Sequence, residues 1–180
     1  MKTSIVLIFT FFFCLNTIAQ EKEKITWSED RLLTWSDFKA QPETSNSYSA
    51  NTNSGISYSW NYSTASGRPV LEHEVFSNFY PNLSWVKDID NEEYLLAHEQ
   101  LHFNISELHA RKLRKALDEY EIGRSVRLDL KGIYNKIEAE RVSMQNQFDT
   151  ETSHSKNKPA EMRWRKFLKE ELAKLQDYSS

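Results

Sequence analysis

Two histidines and one glutamate near the middle of the chain have the spacing of a metal-dependent hydrolytic site. His98, Glu99 and His102 form the pattern H-E-x-x-H within the apolar, helix-favouring segment 94–103. On a helix the two histidines lie one turn apart, about 40° round the axis and roughly 6 Å along it, so both imidazoles can reach one metal ion. Glu99 then lies beside the ion, where its carboxylate can act as a general base. The pattern predicts Zn²⁺ held by the two histidines, with Glu99 as the catalytic residue.

A catalytic zinc needs a third protein ligand, and the nearest candidates on the same helix are badly placed. Zinc of this kind takes three protein ligands at about 2.0 to 2.2 Å and leaves the fourth position open. On a straight helix Glu107 falls about 180° away from His98, and His109 lies about 10 Å beyond His102 along the axis. Residues 103–117 contain no glycine or proline that could break the helix. We therefore interpret Glu107 and His109 as surface groups or as groups that support a ligand.

The third ligand is expected further along the chain. Residues 127–147 have the apolar spacing of a second long helix, which carries Glu138 and Glu140. Both are candidates, although glutamates on helices most often face solvent. A polar loop is predicted at residues 148–155, where ligand-type side chains are densest outside the first motif. These side chains are Asp149, Glu151 and His154.

The helices that must position these groups can be predicted from local signals. The motif helix is expected over residues 92–120, which are rich in Leu, Ala, Glu, Lys and Arg. Asp90, followed three residues later by Glu93, resembles a capping box, and Gly123 supplies a stop. A third amphipathic helix is expected over residues 160–175.

Upstream of the motif the sequence predicts a small antiparallel sheet. Residues 48–62 alternate strictly between two faces, with Ile56 and Tyr58 on the more apolar one. This pattern is typical of a half-buried strand, which can bend or bulge at Gly55. Residues 70–76 are predicted to pair with it after a turn. The predicted fold class is therefore α+β.

The amino-terminal segment has the pattern of an export signal. Residues 1–19 combine one basic residue, a short apolar run and small residues before Gln20, which predicts a cleavable signal peptide. A retained anchor is the alternative, but the apolar run is shorter than the roughly 20 residues that span a bilayer. Cys14, which lies in this segment, is the only cysteine of the chain. The exported protein is therefore expected to fold without disulfides.

The remaining chain, residues 20–180, is long enough for one domain with its own core. The formal net charge of −3 and the absence of a long basic run do not favour nucleic acid as a partner. No second apolar span follows the signal segment in the sequence, so no membrane-spanning segment is expected in the mature chain. The sequence does not specify an oligomeric state.

Several short segments, taken in order, carry a resemblance to a known family. They are T-W-S-D-F at 34–38, S-G-I-S-Y at 54–58, S-W-V at 84–86, L-L-A-H-E-Q-L-H-F at 95–103 and D-T-E-T-S-H at 149–154. In these segments the chain resembles the domain-of-unknown-function 922 family, described as predicted secreted zinc-dependent proteases of the zincin superfamily. The resemblance implies a zincin-like fold, in which a small antiparallel sheet packs on a long H-E-x-x-H helix with two further helices.

The same resemblance assigns roles to individual positions. His98 and His102 match the family's metal-binding histidines, and Glu99 matches its catalytic glutamate. His154 falls where the family's second motif has a histidine, which implies that it is the third ligand, with Asp149 as the next candidate. Phe148 stands where the family pattern is expected to have tyrosine, so a phenolic oxyanion donor is not expected there.

The expected function is that of an exported zinc metallopeptidase, periplasmic or secreted. Water activated by the metal would attack a peptide carbonyl, and Glu99 would carry its proton to the leaving amine. Tyr58 and His73 are the candidates for an oxyanion donor. The main alternative is a non-catalytic envelope protein with a binding or structural role that retains the zincin-like fold. A further alternative is a pilot or inhibitor domain that acts on another exported protein.

Overall fold

The fold consists of a small antiparallel sheet and three α-helices arranged around the motif helix. The computed structural model describes residues 23–45, 47–87 and 92–180. The strands are β1 (Ile25–Thr26), β2 (Ala50–Asn51), β3 (Ser54–Ser63), β4 (Val70–Phe79) and β5 (Trp85–Val86). The helices are α1 (Glu92–Asp118), α2 (Val126–Thr152) and α3 (Lys158–Lys174). The predicted signal segment and the predicted cap at Asp90 lie outside the described residues.

The sheet is antiparallel, as the alternating sequence predicts. Its strand order is β1-β4-β3, and β2 forms a separate pair with β5. Strand β4 continues to Phe79, three residues beyond the predicted end, because it pairs with β3 along the whole length of both strands. Ile56 is buried, and Tyr58 and Trp60 pack against the same core, so the apolar face of β3 is the predicted one.

The predicted single strand over residues 48–62 is interrupted at Thr52 and Asn53 rather than bent at Gly55. The Asn53 carbonyl accepts a hydrogen bond from the Tyr80 amide at 2.9 Å, and the Asn53 amide donates to Ser84 Oγ at 2.9 Å. These bonds lead the chain away from β4 and into the β2–β5 pair. The alternating pattern could not show the break because both halves keep the same alternation.

Helix α1 is central and is buried on nearly all sides after its first two turns. Leu113 and Leu117 pack against the sheet side of the core. Leu101, Ile105 and Leu108 pack against α2 and α3. A helix that is covered on both flanks has an apolar surface wider than one stripe. Its position makes α1 the element that relates the sheet to the other two helices.

Helix α2 extends five residues into the segment predicted as a loop. Phe148 and Thr152, one turn apart, are both fully buried, and the Thr152 hydroxyl donates to the Phe148 carbonyl at 2.7 Å. The polar residues between them suggested a loop, but burial of these two side chains against α1 and α3 keeps the segment helical. The helix ends at Ser153, where three successive residues, 153–155, adopt positive φ of 49°, 49° and 67°. Such a run of non-glycine residues is costly, at about 1 to 2 kcal/mol each, and turns the chain toward α3.

Glu107, predicted to be a surface or supporting group, is instead fully buried in an ion-pair network. Its Oε1 accepts from Arg111 Nε at 2.9 Å and from Arg114 Nη1 at 3.1 Å. Arg111 also donates to the Leu172 carbonyl at 2.7 Å, and Arg114 donates to the Val75 carbonyl at 2.8 Å. The network therefore joins α1 to α3 and to β4.

Replacement of Glu107 by glutamine should destabilise the fold strongly. The two arginines would keep their buried charges but lose their carboxylate, and breaking a buried pair from one side costs about 3 to 5 kcal/mol. Glu119→Gln is a matched control, since Glu119 is exposed and lies 3.9 Å from Lys115 in a surface pair. Urea unfolding monitored by circular dichroism measures both variants. Equal midpoints for the two would show that the network does not stabilise the fold.

His109 is likewise buried, so its placement as a surface group is wrong. Its Nδ1–H donates to the Ile105 carbonyl at 2.8 Å, and its Nε2 has no hydrogen-bond partner among the described residues. Burial lowers the pKa of His109 to about 4, and the nearby charges of Lys112 and Arg141 act in the same direction. The imidazole is therefore neutral in the folded protein at neutral pH.

This lowered pKa predicts a pH dependence of stability. Between about pH 4 and pH 6.5 the unfolded chain binds a proton at His109 that the folded chain does not, so the unfolding free energy falls as pH falls through that window. The full contribution is on the order of 3 kcal/mol. His109→Asn, which cannot be protonated there, should show a shallower decline of unfolding free energy between pH 7 and pH 4 than the parent. Parallel declines in the two proteins would contradict the assignment.

Candidate metal centre

Helices α1 and α2 bring three ligand-type side chains to one point. The nitrogen or oxygen atoms of His98, His102 and Asp149 lie within 4.8 Å of one another. Asp149 Oδ1 is 3.5 Å from His98 Nε2 and 3.1 Å from His102 Nε2. The two imidazole rings have centroids 5.0 Å apart and are nearly perpendicular. One turn of α1 therefore supplies two donors, as predicted, and the last part of α2 supplies a third.

The His98 imidazole lies between two carboxylates. It is buried, and its Nδ1 lies 3.2 Å from Oε2 of Glu161, a fully buried residue of α3. Burial acts to lower the pKa of His98, but the hydrogen bonds to Asp149 and Glu161 outweigh it and raise that pKa to about 9. The position beside His98 Nε2 is therefore one where a positive charge is stabilised.

The His102 imidazole is held by an amide instead of a carboxylate. Its Nδ1–H donates to Gln145 Oε1, and the Gln145 amide nitrogen donates to the His102 carbonyl at 2.8 Å. These two bonds orient the amide, so that its oxygen must face the ring. His102 Nε2 is thereby left to face Asp149.

The Asp149 carboxylate is ionised at its position between the two imidazoles. Burial acts to raise its pKa, but hydrogen bonds from His102 and His98 hold the pKa of Asp149 well below its usual range. A carboxylate that stays ionised between two imidazoles is a suitable ligand for a divalent cation.

Glu99 lies beside this group with a carboxylate oxygen that has no partner. Its side chain is 3% exposed, and Oε2 makes no hydrogen bond to any described residue. A buried carboxylate oxygen left in this way is uncommon in a folded protein. Glu107 Oε2 is another, but Glu107 does not line the cleft that contains His98 and His102, whereas Glu99 does. The main-chain carbonyl of Glu99 accepts a hydrogen bond from the Thr52 hydroxyl at 3.3 Å, which connects α1 to the segment beside β2.

Phe148 forms the apolar wall of the centre. Its ring stacks on His98 with centroids 4.6 Å apart and meets His102 edge-on at 4.9 Å. Trp164 of α3 packs on its other side at 5.4 Å. The phenyl ring at this position therefore restrains both imidazoles by packing.

His154 lies beside the three-residue group and is not a member of it. Its Nδ1 is 3.4 Å from Asp149 Oδ1, its side chain is 41% exposed, and its ring packs on Tyr48 with centroids 4.1 Å apart. The geometry therefore favours Asp149 over His154 as the third ligand, in the reverse of the order expected from the resemblance. The reason is that α2 continues past Asp149, which directs that residue toward α1, whereas His154 follows the helix end.

The other candidate ligands lie elsewhere. Glu138 is paired with Arg141 through bonds of 2.8 and 2.6 Å, and Glu140 is exposed. Glu151 accepts from Trp164 Nε1 at 2.8 Å and joins α2 to α3.

Neither predicted oxyanion donor reaches the centre. Tyr58 stacks on Tyr134 with centroids 4.6 Å apart, and His73 Nε2 lies 2.9 Å from Asp118 Oδ1 near the far end of α1. Neither Tyr58 nor His73 lines the cleft that contains His98 and His102.

Two residues of the centre were missed in the sequence, namely Gln145 and Glu161. Gln145 lies on α2 four residues before Asp149, a spacing that would have marked it once Asp149 was accepted as helical. Glu161 carries no local signal, because an acidic residue in the first turn of a helix is ordinarily explained by the helix dipole.

The centre opens into a cleft of about 360 Å³, a size typical of ligand-binding pockets. Residues 47–54 form one wall, and α1 and α2 form the floor and the opposite wall. His154 and Lys156 lie at the turn between α2 and α3 on the same cleft. His98, Glu99, His102 and Asp149 all line it, so a molecule in the cleft can reach each of them.

The fold and the cleft together define an α+β domain with a candidate metal centre. Residues 85–155 match the model of the family described as bacterial protein of unknown function (DUF922). No curated protein and no solved structure matches the chain. Among the described residues, none of the helices combines the length and apolar character needed to cross a membrane.

The choice between Asp149 and His154 can be tested by metal titration. Asp149→Asn should weaken Zn²⁺ binding far more than His154→Asn does, because only the first substitution removes an atom of the three-donor group. Competition with a chromophoric chelator at constant pH measures both affinities. A larger loss in His154→Asn than in Asp149→Asn would make the histidine the ligand.

Proposed function

We propose that the protein is an exported, zinc-dependent metallopeptidase with a zincin-like fold. One observation carries the proposal. The two histidines of α1 and Asp149 of α2 converge on one cleft, and Glu99 stands beside them with an unpartnered carboxylate oxygen. Two imidazoles, one ionised carboxylate and a further carboxylate beside them are the set that a zinc hydrolase requires.

The donor spacing suits zinc. Ligands on a tetrahedral zinc with bonds of about 2.0 to 2.1 Å are separated by about 3.4 Å. The separations from Asp149 Oδ1 to the two imidazole nitrogens are 3.5 and 3.1 Å. His98 and His102 would bind through Nε2, because each Nδ1 is engaged by another side chain. A bound zinc supplies Lewis acidity, which makes water nucleophilic near neutral pH and polarises a carbonyl.

Glu99 is the residue proposed to move the proton. Its free carboxylate oxygen faces no protein donor, so it can accept a proton from an attacking water within the cleft. The same oxygen can then donate that proton to the leaving amine, which makes Glu99 base and acid in turn. Its burial in the wall of the cleft keeps bulk water from competing for the proton.

The shape of the cleft supports a peptide substrate. Eight consecutive residues, 47–54, line the cleft, and they include strand β2. Among the described residues β2 pairs only with β5, so it is an edge strand. An extended peptide can add to the edge of a sheet, which would allow recognition of a peptide bond without a deep side-chain pocket. The site of action is proposed to be outside the cytoplasm, on the basis of the signal-like segment 1–19.

The test is peptide cleavage by the purified protein and its Glu99→Gln variant. The parent loaded with Zn²⁺ should cleave a mixed peptide library, and Glu99→Gln should bind zinc normally but cleave about 10² to 10⁴-fold more slowly, because the general base is lost. Mass spectrometry of the products measures the rates. Glu93→Gln, an exposed position on the same helix, is the matched control and should retain full activity.

Two results would contradict the proposal. Failure of the parent to bind zinc at neutral pH would remove the metal centre. Zinc binding without cleavage of any library peptide would instead favour the non-catalytic envelope protein, in which the metal has a structural role.

A further inference from the structure

Glu161 of α3 is a fully buried carboxylate that contacts the centre from outside the family-matched segment. Its side chain has no exposed surface, and its Oε2 lies 3.2 Å from His98 Nδ1. Its other oxygen, Oε1, accepts from Arg165 Nε at 3.2 Å, one turn along the same helix. The buried carboxylate is therefore shared between Arg165 of its own helix and His98 of the centre.

The hydrogen bond from His98 to Glu161 determines which nitrogen of the imidazole is free. Because Nδ1 is held by the Glu161 carboxylate, a metal ion would bind His98 through Nε2, the atom that faces Asp149. An imidazole held by a carboxylate is also a more basic ligand than one held by a neutral group. His102, whose Nδ1 is held by the Gln145 amide, provides the contrast within the same site.

Helix α3 is docked firmly enough to keep Glu161 at this position. Trp164 lies against Phe148 at 5.4 Å and donates through Nε1 to Glu151 at 2.8 Å. Lys158 and Arg165 lie over the ring of Tyr94 at 4.9 and 5.6 Å, so the start of α3 also contacts the start of α1. In the sequence Glu161 lies between Lys158 and Trp164, so α3 is held on both sides of it.

We propose that Glu161 is a positioning residue of the metal centre, which orients His98 and strengthens its bond to the metal. This inference rests on one part of the proposed function, namely that the centre binds zinc. It extends the centre into α3, beyond residue 155, where the family match ends. The residue acts through His98 and does not touch the metal or the substrate.

The test compares the zinc affinities of Glu161→Gln and Glu170→Gln in the full chain. Glu161→Gln keeps the shape of the side chain but removes its charge, and it should weaken zinc binding about 10 to 100-fold. Glu170→Gln is the matched control, because Glu170 lies on the same helix in an exposed pair with Lys166, and its affinity should equal that of the parent. Competition with a chromophoric chelator gives the affinities, and circular dichroism in the presence of EDTA shows whether each apoprotein is folded.

A second measurement uses the unmodified protein and does not depend on the folding of a variant. Nitrogen chemical shifts of the His98 ring in the zinc-loaded protein should show a protonated Nδ1 and a metal-bound Nε2. Metal bound at Nδ1, or equal zinc affinities for Glu161→Gln and the parent, would overturn the inference.

Failure of the inference can be told apart from failure of the proposed function. If the parent binds zinc but cleaves no peptide, the peptidase proposal fails while the affinity comparison still supports or overturns the role of Glu161. If the parent binds no zinc, both are overturned.

Discussion

The contact between one carboxylate oxygen and two imidazoles is the constraint on which the rest of the site depends. Asp149 Oδ1 lies within 3.5 Å of both His98 Nε2 and His102 Nε2, and these three groups come from two different helices, α1 and α2. Two helices can meet at that distance only in one register. The register is maintained by Phe148, which is fully buried and packs on both histidines, and by Thr152 one turn later. The chemistry of the centre is therefore set by apolar packing beside it.

Buried carboxylates in this protein contact basic side chains. Glu107 is satisfied by Arg111 and Arg114, while Glu161 is satisfied by His98 and Arg165. Buried carboxylates persist in proteins only when they are paired, because an unpaired buried charge is very costly. Glu99 and Glu107 each have one buried oxygen without a hydrogen-bond partner among the described residues, but of the two only Glu99 lines the cleft. Its position makes Glu99 the carboxylate that a molecule in the cleft can reach.

Local sequence patterns predicted the structure where a pattern of side chains is compatible with only one type of secondary structure. The helical spacing of His98 and His102 and the alternation at Ile56 and Tyr58 translate directly into a helix and a strand. The same patterns did not predict the structure where polar residues are buried by the packing of other elements. The segment that begins at Phe148 looks like a loop because most of its residues are polar, yet two buried side chains one turn apart keep it helical. Glu107 and His109 were interpreted as surface or supporting groups because helix geometry directs them away from the two histidines, yet both are buried because α1 is covered on both flanks.

The sequence by itself determined the α+β class, the motif helix and two of the three donors of the candidate centre. Those features depend on residues close together in the chain, whose relative positions follow from helix and strand geometry. Tertiary structure alone decided that Asp149 joins the donor group and that Glu161 of α3 contacts His98. Both choices depend on how separate helices pack, and packing is determined by the shapes of side chains distant in sequence, which no local pattern records.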